Sequence, residues 1–176
     1  MATLVNILAF QVGWLVCVWG GASHRPWLGT GTAVIVIAWH LWRAAHPRRE
    51  FVLIVIAGAL GLAWDSALVS AGLLNYPSGI LLDGTAPHWI VALWMMFATT
   101  LNVSLRWLKN RPLTGALAGA VAGPVAYWAG SRLGGVEFLE PLPATVALAV
   151  GWAVALPALM TCAKRFDGTT LRVAHA

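Results

Sequence analysis

Asp65 stands in Ala63-Trp64-Asp65-Ser66, inside a long apolar run, and is the one acid or base set deep within such a run. A carboxyl group in that setting can act as a general acid or base, or as a proton site. Counting from Phe51 at about 1.5 Å per residue puts it ~21 Å along a helix, in the outer half of a bilayer core. An aspartate buried at that depth costs about 3 kcal/mol to insert, so it must face other helices and find a partner. Two readings follow. Asp65 is a functional carboxyl, or it is a structural hydrogen-bond acceptor for a neighbouring Trp, Ser or backbone group. On the functional reading, Asp65→Asn keeps the fold and removes the activity, because an amide cannot titrate.

The residues able to share its level are aromatic and polar. Matching depths on neighbouring runs sets Trp94 beside Asp65, and Val18 at the same height with Trp14 about one turn below. Trp64, Trp94 and Trp14 are therefore candidate substrate-binding residues, since indole faces stabilise positive charge in an apolar substrate. The stretch Asn75–Pro87 and the His88 that follows add Asn75, Tyr76, Asp83 and His88 as a polar rim above. That stretch has no basic residue, two prolines and two glycines, which makes it the lid candidate. It either dips back into the bundle, where protein satisfies its backbone, or lies along the interface. A second polar level comprises Asn6, Gln11, His40 and Asn102. These residues outline a path across the bilayer, or they are interhelical hydrogen bonds worth about 0.6 kcal/mol each. Cys17 and Cys162 fall towards opposite faces, and no metal-ligand spacing is present, so neither a disulfide, a metal nor another cofactor is expected.

The elements that must hold these groups follow from composition. Of 176 residues, 60% are hydrophobic and 10% charged, against about 25% charged in a soluble domain. Mean hydropathy is +0.78. A soluble enzyme, a second globular domain and a disordered chain are excluded. Six apolar runs of about 20 residues are expected to span: Leu4–Ala22, Leu28–Ala45, Phe51–Leu74, His88–Leu108, Leu113–Ser131 and Pro143–Ala163. The expected fold is all-α, a polytopic membrane helix bundle forming a single domain over residues 1–176. The first run lacks a basic segment before it and is read as a retained span rather than a cleaved signal peptide.

Orientation comes from the basic residues. Arg43, Arg48, Arg49, Arg106, Lys109, Arg111, Lys164, Arg165 and Arg172 fall on one side, and Arg25 and Arg132 on the other. Both termini are accordingly expected in the cytoplasm of a bacterial cell, with the protein multi-pass in the inner membrane. The net charge of +5 is this loop bias and not a nucleic-acid platform, because it is dispersed over short loops and a tail. Gly115, Gly119 and Gly123 at four-residue spacing let another backbone approach closely. The row Ala147, Gly151 and Ala155 on the neighbouring run is its expected partner within the chain. The alternative is that the glycine row forms an interface with a second copy, and a homo-oligomer or a membrane-protein partner stays open. Gly119→Leu is expected to destabilise more than Gly29→Leu, which lies near a span boundary. Trp27, Trp89 and Trp128 are expected at the outer interface, and Trp42 and Trp107 at the inner one.

The succession Trp64-Asp65, Asn75-Tyr76-Pro77-Ser78-Gly79, Ala86-Pro87-His88-Trp89-Ile90, Leu93-Trp94, Asn102 and Trp107-Leu108 resembles a family of small proteobacterial inner-membrane proteins. The likeness is clearest between Phe51 and Leu108. Members carry a domain-of-unknown-function label, so the resemblance implies location and topology and transfers no catalytic residue. Their genes often neighbour those for cyclopropane-fatty-acid-synthase-like and amine-oxidase-like proteins, which implies a link to lipid modification. Three functions stay open: a lipid or isoprenoid enzyme using Asp65, an accessory protein, and a small proton- or cation-coupled transporter. Membrane lipid is the expected partner.

Overall fold

Proline opens four of the helices and glycine closes two, so the chain's own punctuation sets most element boundaries. The structure is a computed structural model that describes residues 2–169. Its helices are α1 (Ala2–Ala22), α2 (Pro26–Arg43), α3 (Pro47–Ser70), α4 (His88–Leu101), α5 (Pro112–Arg132) and α6 (Pro141–Arg165). Two short strands, β1 (Leu74–Asn75) and β2 (Glu137–Phe138), and a 3₁₀ turn, Arg106–Leu108, complete the regular elements of the described residues. The prolines that start α2, α3, α5 and α6 lack an N–H that would have no intrahelical acceptor anyway. Gly72 and Gly134 follow α3 and α5 with φ of +68° and +82°, which costs glycine no Cβ clash. Leu73 N then donates to Leu68 O at 3.0 Å, and Gly135 N to Gly130 O at 2.9 Å. The two helices thus end in the same 6→1 closure. Each closure delivers a strand, and the strands pair antiparallel with Leu74 opposite Phe138 and Asn75 opposite Glu137.

The connections gather at two ends. At the end we call upper, Ser78 Oγ donates to Gly21 O at 2.7 Å, and β1 joins the α3–α4 connection to the α5–α6 connection. At the lower end, His46 N donates to Gly168 O at 2.8 Å, and Lys109 Nζ donates to Asp167 Oδ2 at 2.7 Å. Within the bundle α4 packs against α1, α2 and α3, while α5 and α6 pair chiefly with each other. The glycine row explains that pairing. A Cβ on Gly119 would run into the Trp152 carbonyl, and one on Gly123 into the Trp152 ring.

Among the described residues three helices, Thr3–Ala22, Pro47–Ser70 and Pro141–Arg165, are long and apolar enough to cross a membrane. The outer faces agree with lipid rather than water. Leu113, Leu117, Val121 and Val125 on α5, and Leu142, Val146, Val150 and Val154 on α6, are exposed at four-residue spacing. Small residues turn inward and large apolar ones outward, the arrangement expected where lipid is the solvent.

Several expectations are corrected in detail. α4 stops at Leu101, and the remainder of the His88–Leu108 run forms a turn and a 3₁₀ turn, Arg106–Leu108. Thr99 and Thr100 hydroxyls donate back to Met96 O and Phe97 O at 2.7 Å, and Asn102 is drawn sideways to Glu50. α3 begins before the run expected from Phe51, so Glu50 lies in its first turn. Trp89, in the first turn of α4, is buried among other residues of the protein, with Nε1 donating to Ser78 O at 3.0 Å. Gly151 does not face the α5 glycines: its space is taken by the Trp64 ring, so the α5 row meets Trp152 and Leu156. Gly29 is also no loose boundary residue, since a Cβ there would come within 2.6 Å of Cys17 Cα.

Candidate functional site

Asp65 lies in the upper half of α3 and is 0% exposed. Three elements besides α3 converge on its carboxyl. Tyr76, from the α3–α4 connection, donates to Oδ1 at 2.7 Å. Tyr127, from α5, donates to the same oxygen at 2.7 Å. Trp94, from α4, donates through Nε1 to Oδ2 at 2.8 Å. Among the described residues three neutral donors and no basic partner meet the carboxyl, which is satisfied by hydrogen bonding, as a buried polar group requires. The arrangement also fixes the three rings, because a carboxyl held by α3 dictates where each donor must sit.

The sequence candidates separate accordingly. Asp65, Trp94 and Tyr76 come together. Trp14 lines the groove described below. Trp64 turns the other way, towards α6 at Gly151. Asn75 is exposed and donates to Glu137 at 3.2 Å. His88 shares a 2.7 Å hydrogen bond with Thr30 and stacks on Trp27 at 4.1 Å. Of the lid candidate, Tyr76 enters the bundle, whereas Leu81 and Leu82 at its apex are 67% and 71% exposed. Tyr127 was absent from the candidates, although it supplies one of the two short phenol bonds.

Beside this cluster runs a groove of about 590 Å³ with α4 as its floor and α1 and α5 as its walls. Tyr127 and Trp94 line it, so two of the three donors to Asp65 form its surface. Its wall is aromatic and aliphatic. Phe10 meets Phe97 edge-on at 5.8 Å, and Trp94 stacks on Trp152 at 4.4 Å. The groove continues down to Ser104 and Trp107 and up to Gly135 and Val136. Such a surface has dispersion and hydrophobic contact to offer an apolar chain and little to offer an ion.

A second buried carboxyl occupies the lower end. Glu50 is 0% exposed. Its Oε2 lies 2.8 Å from His40 Nε2, and its Oε1 accepts from Asn102 Nδ2 and from Gly168 N, both at 2.7 Å. Asp167 next to it pairs with Lys109 and Arg106. Burial pushes the Asp167 carboxyl up, but hydrogen bonds from Lys109 and Thr169 prevail and hold it at about 2. His40 and Asn102, read from the sequence as a polar level, thus belong to a clamp on residues 166–169. Asn6 lies apart and donates to Thr99 O at 3.1 Å.

Comparison with the curated proteins and with the solved structures returns no match. A family model does match, over residues 3–158. The match takes in all of α2 to α5 and most of α1 and α6, hence Asp65 with its three donors and the groove beside them. The chain belongs to the family described as protein of unknown function (DUF2878).

Proposed function

We propose that the protein is a six-span inner-membrane protein, with both termini in the cytoplasm, that holds the apolar chain of a lipid between α1, α4 and α5. The groove carries this reading. A methylene fills about the space of a water, roughly 30 Å³, so 590 Å³ takes on the order of 20 methylenes, one long chain. Asp65 then serves the site from behind. It positions Tyr127 and Trp94 on the groove wall, and its oxygens are occupied by donors rather than turned to the ligand. The role is lipid-linked, as substrate binding for a membrane enzyme or as lipid presentation by an accessory protein.

Two observations support the placement. The connections at the lower end carry most of the basic residues, in keeping with a cytoplasmic face. The exposed stripes of α5 and α6 are apolar along their length. Transport would need polar groups joining the two carboxyl levels of α3. Between Glu50 and Asp65 that helix instead buries Leu53, Ile54 and Ala57, and this favours lipid binding.

The test uses purified protein and a fatty acid bearing a photoactivatable diazirine. Labelling is expected on α1, α4 and α5 peptides, and Ala122→Trp, which fills the groove from an exposed position on its wall, should remove it. Equal labelling of the parent and Ala122→Trp chains would overturn the reading.

A further inference from the structure

The groove is not uniform from end to end. Its upper end is made by Val18, Trp89, Gly130, Gly135 and Val136, and the one side-chain hydrogen-bonding group among these, Trp89 Nε1, is already donated to Ser78 O. Its lower half includes Gln11, Thr100 and Ser104. At the lower mouth stands Trp107, and the Arg111 guanidinium lies over that ring, 6.0 Å from its centroid. Three basic residues stand in the stretch 106–111, and two of them are spoken for: Arg106 and Lys109 both pair with Asp167. Among the described residues Arg111 has no acidic partner, and it is exposed. One apolar end and one end with hydroxyls, an amide and an uncompensated cation amount to a polarity gradient along a single groove.

We propose that the groove takes a lipid whose headgroup bears a net negative charge. The headgroup sits at the Trp107 mouth against Arg111, the glycerol or ester region lies beside Ser104 and Gln11, and the chain runs up α4 towards Tyr127. This rests on the lipid-binding reading above and adds the chemical class and the direction of its ligand. Guanidinium suits a phosphate, which it meets with paired N–H donors. The reverse orientation would bury a charged headgroup against Val18 and Val136, where it would go unpaired.

The experiment is native mass spectrometry of the purified full chain, offered phosphatidylglycerol and phosphatidylcholine with identical acyl chains in equal amounts. One basic side chain near a membrane surface favours an anionic lipid by a factor of about five. The parent protein should retain phosphatidylglycerol by about that factor. Arg111→Gln should abolish the preference, Arg111→Lys should keep most of it, and Arg132→Gln at the upper end should leave it unchanged. Ala122→Trp should lose both lipids. If both lipids bind equally and Ala122→Trp still removes them, the headgroup inference fails and the groove stands. A preference that survives Arg111→Gln also overturns it. If neither lipid is retained, the lipid-binding reading itself fails.

Discussion

Tyr127 donates a 2.7 Å hydrogen bond to Asp65 across 62 residues of sequence, and this bond pins the α5–α6 hairpin to α3 behind the groove. The hairpin's other ties to the bundle are modest: α6 against α3 and α4, and the β1–β2 pairing at the upper end. The carboxyl is therefore a junction. It joins α3, α4, α5 and the α3–α4 connection at one point, and the shape of the groove depends on it.

Asp65→Asn tests that junction. The amide oxygen can still accept from both tyrosines, but the amide N–H₂ then faces the Trp94 N–H, donor against donor. The expected loss is about 1–3 kcal/mol, the cost of one buried group left unpaired. Asp65→Leu strands all three donors and should cost more, to the point of preventing recovery of folded protein. Melting in detergent ranks the series. A stability for Asp65→Asn equal to the parent's would show that the Trp94 bond contributes nothing.

Much of this site was legible in the sequence, and the missing part has a physical reason. Asp65 announces itself because a charge within an apolar run is costly, and Trp94 follows by matching depth on an adjacent run. Tyr127 hides because a single tyrosine in an apolar run looks like packing, and its helix is remote in sequence. The apolar runs end at Leu74 and Ser131, which sets the two at unequal depths, nine and four residues from the end. The structure ends the helices at Ser70 and Arg132, and Asp65 and Tyr127 then both lie five residues before the last residue. Each is about 7.5 Å below the same end. Glu50 was hidden differently. Next to Arg48 and Arg49 it reads as a solvated loop charge, and only the fold reveals that α3 starts at Pro47 and that Gly168 covers the carboxyl. The helices themselves were read from apolar runs to within a few residues, except at α4, where threonine back-bonding and Asn102 end the helix early.

Glycine substitutions separate close packing from open space. Gly119→Ala should lower the melting temperature, because its Cβ would strike the Trp152 backbone, which cannot move aside as a side chain can. Gly29→Ala should do the same against the Cys17 backbone. Gly31 has nothing within 4 Å of a Cβ, so Gly31→Ala should be neutral or gain about 0.5–1 kcal/mol from helix propensity. A neutral Gly119→Ala would mean that α5 and α6 are not in contact along the glycine row.

Topology is tested by reporter fusions. Fusions after Arg111 and after Ala176 should report the cytoplasm, and one after Ser78 the opposite side. These positions follow from nine basic residues against two on alternate loops. A fusion after Arg111 that reports the outer side would reverse the orientation and, with it, the face at which the groove mouth opens.

The last prediction concerns the clamp at the lower end and its response to acid. Asp167 has a carboxyl held at about 2, below its ordinary value of 3.8. A group depressed on folding contributes stability that is present in full above its ordinary pKa, and that stability is lost as pH falls through the folded value. Docking of residues 166–169 should therefore hold from neutral pH down to about 3.8 and give way between 3.8 and 2. The protection factor at Gly168 N, its exchange rate compared with that of an unstructured amide at the same pH, reads this, since that N–H donates to Glu50 at 2.7 Å. Asp167→Asn removes the carboxyl that pairs with Lys109 and Arg106, so it should raise exchange at neutral pH and flatten the response in that window. Protection at Gly168 N that is already lost well above pH 3.8 in the parent chain would remove Asp167 from that role.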